Sequence, residues 1–284
     1  ALIQAMDSVD RCTLGACAIT GTGFPIDRGR TAGLLGFRAP VPNTYQAIST
    51  SHWLIRPASA IRLLLSDAAR MAADLLHKSS CEVGLVDFPD DLVQSSSIMP
   101  QKRNPVILEH IRIQAGLASG VCLSIEDLFR SVPFQDVNEV TDAPVTDLLE
   151  AIATAGSCFA LVAETVRKLR SNAARAREIA VAFGVTTTEL ADTMVRECGI
   201  GFRAAHRICS AFARSCADKA KLRTAFHEAT GADLAWTDSR IDECLDPGRF
   251  IAMRKPAGGP APEGMESVFA AAEAGLSRLR AALD

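Results

Sequence analysis

The sequence predicts an all-α protein in which long helices form a central bundle and a smaller helical domain follows. Three stretches repeat apolar residues in alternating steps of four and three, which is close to the helical period. The period-two alternation typical of strands is nearly absent from the 284 residues. Hydrophobic residues make up 48% of the chain, which is enough for a large core.

The three repeats predict three helices of about 25 residues, each roughly 38 Å long at about 1.5 Å per residue. Seams of this length become buried only against other long helices that cross at shallow angles. The first seam comprises Leu54, Ala58, Ile61, Leu65, Ala68, Ala72 and Leu75, the second Leu108, Ile111, Ala115, Ala118, Cys122, Ile125 and Phe129, and the third Leu148, Ile152, Ala155, Phe159, Val162, Val166 and Leu169.

After about residue 170 the predicted helices become shorter and glycine separates several of them. We therefore predict a bundle domain over residues 1–170 and a smaller helical domain over residues 171–284. Residues 254–264 are too rich in proline and glycine for regular structure.

Composition excludes several classes of protein. The net charge of −3, from mixed acidic and basic residues, argues against a nucleic-acid-binding protein. We expect no apolar run of membrane-spanning length and no signal peptide, and hence a cytoplasmic protein. The nine cysteines are scattered singly without a C-x-x-C pair, which argues against a zinc site or a disulfide framework. No metal or cofactor is expected.

The segment over residues 95–105 has the residues needed to bind a carboxylate. It reads Ser-Ser-Ser-Ile-Met-Pro-Gln-Lys-Arg-Asn-Pro. We expect Asn104 to cap the second long helix and Pro105 to be its first residue. A helix N-terminus presents free N–H groups and the positive end of the helix dipole, and Lys102 adds a full charge. From composition alone, an ordinary polar loop before a capped helix is the competing interpretation.

This segment resembles the signature loop of the fumarase/aspartase superfamily, whose pattern is G-S-S-x-M-P-x-K-x-N-P. Ten of the eleven positions agree when the variable ones are allowed, and Ser95 stands at the glycine position. Residues 15–28, 82–89, 187–206 and 251–262 resemble segments of argininosuccinate lyases. The upstream part of that family, with a T-H-L-Q-type motif that supplies a proposed acid histidine, is not in this sequence, so we expect activity to need it.

The resemblance implies a carbon–nitrogen lyase that removes a proton next to a carboxylate and expels the neighbouring nitrogen, releasing fumarate. Ser96 falls on the family's catalytic base, and Ser97 and loop amides are expected to stabilise its alkoxide. Lys102 and Asn104 are expected to bind the substrate carboxylate, whose charge grows in the transition state. The resemblance also implies a small dicarboxylate substrate and a homotetramer whose subunits share active sites.

The part of the site that would bind the leaving amine departs from the family pattern. Counted from Ser96, the positions of the family's substrate-binding Tyr, Gln and Lys are Asp136, Thr141 and Pro144. The family's S-D-R-D stretch is replaced over residues 49–52. Asp136 and Thr141 are therefore predicted to line a rebuilt amine subsite.

Three interpretations stay open at this point. The leading one is an argininosuccinate lyase or a relative that acts on another N-substituted aspartate. The second is a catalytically silent structural paralogue, against which the intact Ser-Ser and Lys-x-Asn positions argue. The third is a helical adaptor, which would need no such loop.

Overall fold

The structure, a computed structural model, describes residues 2–141 and 144–281, and the side chains of all of these except Val140 and Thr141. The chain forms two compact units, one ending at Ser171 and the other starting at Asn172. The predicted all-α fold is confirmed, since helices dominate both units.

Seven helices lie in the described part of the first unit. The loops between these helices contain short strands of two residues each, which pair with one another. The helices are α1 (Leu2–Val9), α2 (Arg28–Leu34), α3 (Thr44–Ser49), α4 (His52–Lys78), α5 (Val106–Leu128), α6 (Asn138–Thr141) and α7 (Val145–Lys168). The strands pair as β1 (Arg11–Cys12) with β2 (Ala39–Pro40), β3 (Val86–Asp87) with β6 (Arg170–Ser171), and β4 (Gln94–Ser95) with β5 (Arg103–Asn104).

Helices α4, α5 and α7 form the bundle, and the first two predicted seams are confirmed. Every member of the α4 seam is buried except Leu75, which packs against the core, and every member of the second seam is buried. Arg62 in the first half of α4 binds Glu126 near the end of α5 at 2.7 Å, and Leu76 near the end of α4 lines one cavity with Glu109 near the start of α5, so these helices are antiparallel. The Cys158 thiol on α7 donates to the Ile111 carbonyl oxygen on α5 at 3.6 Å, and Lys168 at the end of α7 ion-pairs with Asp91, shortly before the start of α5, so α7 is antiparallel to α5.

The third predicted seam is confirmed only in part: Leu148 and Ala155 are buried, and Phe159, Val162 and Leu169 pack against the core. Ile152 and Val166 are exposed, whereas Ala151, Cys158 and Thr165 are buried. Helix α7 is apolar around much of its circumference, so a period-3.5 pattern can be drawn along more than one of its faces. Packing against α5 selects the face that carries the small residues, because they let the two helix axes approach closely.

Two bundle helices also contradict the expectation that no apolar run reaches membrane-spanning length. By length and composition alone, residues 106–131 and α7 are long enough to cross a membrane, with mean hydropathies of 1.3 and 1.5. Only 33% and 22% of the two stretches are buried within this chain. Helices this apolar, with one face packed in a bundle, leave a second apolar face unpartnered.

The second unit has a core of its own. Its buried residues come mainly from the α9 and α10 hairpin and the helices that follow. The helices are α8 (Ala173–Ala182), α9 (Thr187–Cys198), α10 (Phe202–Arg214), α11 (Lys219–Thr230), α12 (Asp238–Leu245), α13 (Pro247–Ala252) and α14 (Pro262–Ala281).

A buried carboxylate ties the proline- and glycine-rich segment to this core. Glu189 on α9 accepts a hydrogen bond from Arg254 at 2.7 Å and ion-pairs with Arg196. The segment then folds tightly on itself, since a Cβ atom at Gly264 would lie 2.7 Å from the Pro256 carbonyl oxygen. The predicted irregular structure is found as far as Ala261 and is held in a fixed position, but residues 262–264 already belong to α14.

Candidate active site

The motif over residues 95–105 forms a β-hairpin at the N-terminal end of α5. Gln94 pairs with Asn104 and Ser95 with Arg103 in an antiparallel ladder. Residues 96–102 form the loop that connects the two strands, and the Lys102 amide donates to the Met99 carbonyl oxygen at 3.0 Å. Ser95 and Asn104 of the motif therefore lie on the two strands of one hairpin, and Ser96, Ser97 and Lys102 lie in its loop.

The hairpin corrects the predicted start of α5. The helix begins at Val106, Pro105 occupies the N-cap position, and no side chain caps the helix. A residue that precedes proline is disfavoured in the helical region and prefers an extended conformation. Asn104 is accordingly part of β5 and not a helix cap. Ser95 also lies in a strand, where any residue fits, so its replacement of glycine requires no strained backbone angle.

Ser96 begins the loop and is half-buried. Its hydroxyl oxygen accepts hydrogen bonds from the Ile98 amide at 3.2 Å and the Met99 amide at 3.1 Å. Donors directed at this oxygen stabilise negative charge on it. Ser97 is exposed next to it, and Ile98 at the tip is 86% exposed.

Lys102 and Asn104 flank Arg103 on the returning arm. Lys102 is exposed and Asn104 is half-buried. Successive side chains of a strand point to opposite faces, so Arg103 and Asn104 lie on opposite sides of the hairpin. An ammonium and an amide near the same turn supply charge-assisted and neutral donors to a carboxylate.

The base of the hairpin is braced by charged contacts that the motif did not reveal. The Arg103 guanidinium ion-pairs with Asp90 and donates to the Phe88 carbonyl oxygen at 2.8 Å. Lys168 at the end of α7 ion-pairs with Asp91, and this contact lowers the pKa of the Asp91 carboxyl. The only sequence signal was the pair of acidic residues shortly before the motif and a basic residue inside it.

The predicted site residues are not brought together within one chain. The hairpin lies where α5 begins, whereas Asp136 follows the end of α5, and that helix of 23 residues is about 34 Å long. The Tyr45 hydroxyl donates to the Phe134 carbonyl oxygen, which places the segment with Asp136 beside α3. Asp136 is exposed, and the side chain of Thr141 lies outside the described residues.

No cluster of three or more His, Cys, Asp or Glu side chains suited to a metal ion occurs in the parts of the chain that the structure describes. The candidate site presents serine hydroxyls, lysine and asparagine side chains, and backbone amides.

Comparison with known proteins bears on what this hairpin does. Residues 1–120 match the Lyase family and residues 184–252 match the family described as Argininosuccinate lyase C-terminal. Argininosuccinate lyase 2 of Agrobacterium fabrum is 38% identical over 277 residues, which cover 94% of this chain and 55% of that protein. Argininosuccinate lyase of Methanothermobacter thermautotrophicus is 34% identical over 274 residues, covering 92% of this chain and 58% of that protein.

The chain belongs to the argininosuccinate lyase family. It spans about half the length of the curated relatives it matches. Among solved structures, an EDDS lyase variant with bound fumarate superposes with a TM-score of 0.84 at 29% identity, covering 98% of this chain and 57% of that one. A class II fumarase from Schistosoma mansoni shares the fold, with a TM-score of 0.66 at 18% identity over 86% of this chain and 55% of that one.

Proposed function

We propose that the full-length protein is a carbon–nitrogen lyase that cleaves an N-substituted aspartate by β-elimination and releases fumarate and an amine. The observation that carries this proposal is the hairpin, which has Ser96, Ser97 and Lys102 in its loop and Asn104 on its returning strand. Relatives named argininosuccinate lyase, and an EDDS lyase structure that contains fumarate, support the same class of reaction.

Ser96 acts as the general base in this proposal. A serine hydroxyl removes a carbon-bound proton only if its alkoxide is stabilised. The amides of Ile98 and Met99 already donate to this oxygen at 3.2 and 3.1 Å, and both would stabilise the alkoxide. Ser97 and a nearby cation supply further stabilisation when the exposed loop closes over substrate.

Lys102 and Asn104 bind the carboxylate next to the carbon that loses its proton. Proton loss shifts negative charge onto that carboxylate, so donors placed there stabilise the transition state more than the ground state. The electron pair left on carbon forms the double bond of fumarate, and the bond to nitrogen breaks. The amine leaves after it has taken up a proton.

A complete site requires more than one copy of the chain. The hairpin and Asp136 are separated by the length of α5, and apolar residues such as Leu117 and Leu149 are exposed on the bundle. Packing these faces against other copies buries them and brings the hairpin of one subunit to the Asp136 end of another. We therefore propose a homotetramer with shared sites.

Subunit sharing predicts complementation between inactive variants. Mixed tetramers of Ser96→Ala chains and chains altered at Asp136 would contain some sites with both native residues. Recovery of fumarate release after the two variants are denatured and refolded together would support a shared site. A monomer by light scattering, or no recovery from tetramers shown to be mixed, would count against it.

Residues 136–144 determine the specificity for the leaving amine in this proposal. An exposed Asp136 at the position of a family tyrosine changes the charge of this subsite and favours an amine with positive charge close to the bond that breaks. Steady-state kinetics on argininosuccinate, followed by a panel of amines added to fumarate, tests this assignment. A specificity constant for argininosuccinate of about 10⁴ M⁻¹s⁻¹ or more would refute a changed specificity.

The proposed function is tested by Ser96→Ala in the full-length protein. We expect turnover to fall by roughly 10²-fold or more, the usual contribution of a general base, with little change in KM. Gln101→Ala, in the same exposed turn, is the matched control and should retain turnover. Absence of fumarate release by the wild-type tetramer on every adduct of the panel would favour the structural paralogue instead.

A further inference from the structure

We propose that Arg103 is a positioning residue that sets the orientation of Lys102 and Asn104 in the candidate active site. The inference rests on the proposed function, because it assigns a role in that reaction to a residue at a variable position of the motif. Arg103 does not need to touch the substrate. It acts through strand β5, which contains Asn104 and directly follows Lys102.

The contacts of Arg103 all lead to one segment. Its guanidinium ion-pairs with Asp90, donates to the Phe88 carbonyl oxygen at 2.8 Å, and lies 3.9 Å from a carboxylate oxygen of Asp87. A guanidinium has its donors in a rigid planar fork, so several acceptors fix its direction as well as its position. The returning arm of the hairpin is thereby attached to residues 87–90.

That segment is itself attached to the bundle. Strand β3 pairs with β6 just after α7, with Val86 opposite Ser171 and Asp87 opposite Arg170. Lys168, in the last turn of α7, ion-pairs with Asp91. Arg103 therefore connects the hairpin to a part of the chain that is held by a bundle helix.

The hairpin needs this connection because its own ladder is short. Strands β4 and β5 have two residues each, and an isolated two-stranded hairpin is at best marginally stable. A shift of one residue would move each side chain of β5 to the opposite face. With Arg103 held on the face of residues 87–90, Asn104 is held on the other face, where the proposed carboxylate binds.

The solvent exposure of the Arg103–Asp90 ion pair indicates that it positions the hairpin without contributing much to the stability of the fold. The side chains of Arg103 and Asp90 are 48% and 88% exposed, and exposed ion pairs contribute little to the stability of a fold. Catalysis is far more sensitive, since a displacement of about 1 Å can cost roughly 100-fold in rate. Loss of the contact should therefore change turnover without changing the unfolding transition.

The test compares Arg103→Ala, Arg103→Lys and Asp90→Ala in the full-length protein. Arg70→Ala is the matched control, because Arg70 is 82% exposed and has one ion pair, with Asp67 at 3.6 Å. The measurements are kcat and KM for fumarate release, the thermal midpoint, and hydrogen exchange of peptides that span residues 93–105 and α5.

We expect Arg103→Ala to lower kcat by about 10- to 100-fold. Exchange of the hairpin amides should become faster, while exchange of α5 and the thermal midpoint stay as in the wild type. Asp90→Ala should cause a smaller loss of the same kind, because the Phe88 contact persists. Arg103→Lys should recover part of kcat, since an ammonium restores the charge but not the fork. Arg70→Ala should match the wild type.

Unchanged hairpin exchange in Arg103→Ala would overturn the proposal whatever the protein's activity. Faster exchange with unchanged kcat would also overturn it, because the contact would then be structural only. Failure of the proposed function has a different signature, in which the wild-type protein releases no fumarate but its hairpin still responds to Arg103→Ala.

Discussion

Replacing Glu189 tests whether one buried carboxylate fixes the segment over residues 254–264 to the second unit. The Glu189 side chain is 2% exposed. It accepts hydrogen bonds from Arg254 at 2.7 Å and from the Thr193 hydroxyl at 3.2 Å, and it ion-pairs with Arg196. Arg254 also lies over the Phe250 ring, 3.3 Å from its centroid.

The expected cost follows from which groups lose a partner. Removing one member of a buried ion pair typically costs about 3–5 kcal/mol. Arg196 and Arg254 keep 44% and 25% of their side-chain surface in water, so they remain partly hydrated without Glu189. Glu189→Ala should therefore destabilise the second unit by about 3 kcal/mol, the lower end of that range. Glu189→Gln should cost about 1–2 kcal/mol, since it keeps the volume and one acceptor.

The same contacts predict a dependence on pH. Burial alone would raise the pKa of Glu189, but hydrogen bonds from Arg254 and Arg196 hold it below its ordinary value. A carboxyl whose pKa is lower in the folded state binds fewer protons there than in the unfolded state. Its stabilisation is complete above the ordinary glutamate pKa of about 4.3 and is lost as pH falls through the lowered value.

Hydrogen exchange shows whether the loss of stability in the Glu189 variants is confined to the second unit. Peptides from α9 and from residues 249–265 should exchange faster in Glu189→Ala, while peptides from α4 and α5 stay unchanged. Glu263→Gln is the control, because Glu263 pairs with Lys255 at 2.9 Å on the exposed side of the same segment. Equal exchange in the two variants, or a Glu189→Gln variant whose stability keeps the wild-type response to acid, would refute the reasoning.

Three other perturbations test the site and the packing. Lys102→Met should weaken inhibition by fumarate by roughly 10- to 150-fold, since it removes a charge-assisted hydrogen bond, and unchanged inhibition constants would exclude this lysine from the site. Ala155→Leu should destabilise the first unit by about 1–3 kcal/mol in urea unfolding because Ala155 is buried in the seam of α7, whereas Leu at the exposed Ala153 should have a smaller effect. Burial raises the pKa of the Cys209 thiol to about 12, so mass spectrometry after alkylation at neutral pH should find Cys209 unmodified and the exposed Cys216 modified.

The sequence by itself was sufficient to predict the long helices and to identify the motif over residues 95–105 as the candidate active-site segment. Helical periodicity is a local property, so the spacing of apolar residues was sufficient to predict the buried faces of α4 and α5. The motif identified Ser96, Lys102 and Asn104 as candidates without any knowledge of their positions in space.

The tertiary structure alone decided which apolar face of α7 is buried, because apolar residues lie around much of that helix and contact with α5 distinguishes Cys158 from Ile152. It also decided that Arg103 contacts Asp90 and that Asp136 lies a helix length from Ser96. Such distances depend on which ends of antiparallel helices meet. That is a property of packing between residues far apart in the chain, and no local pattern encodes it.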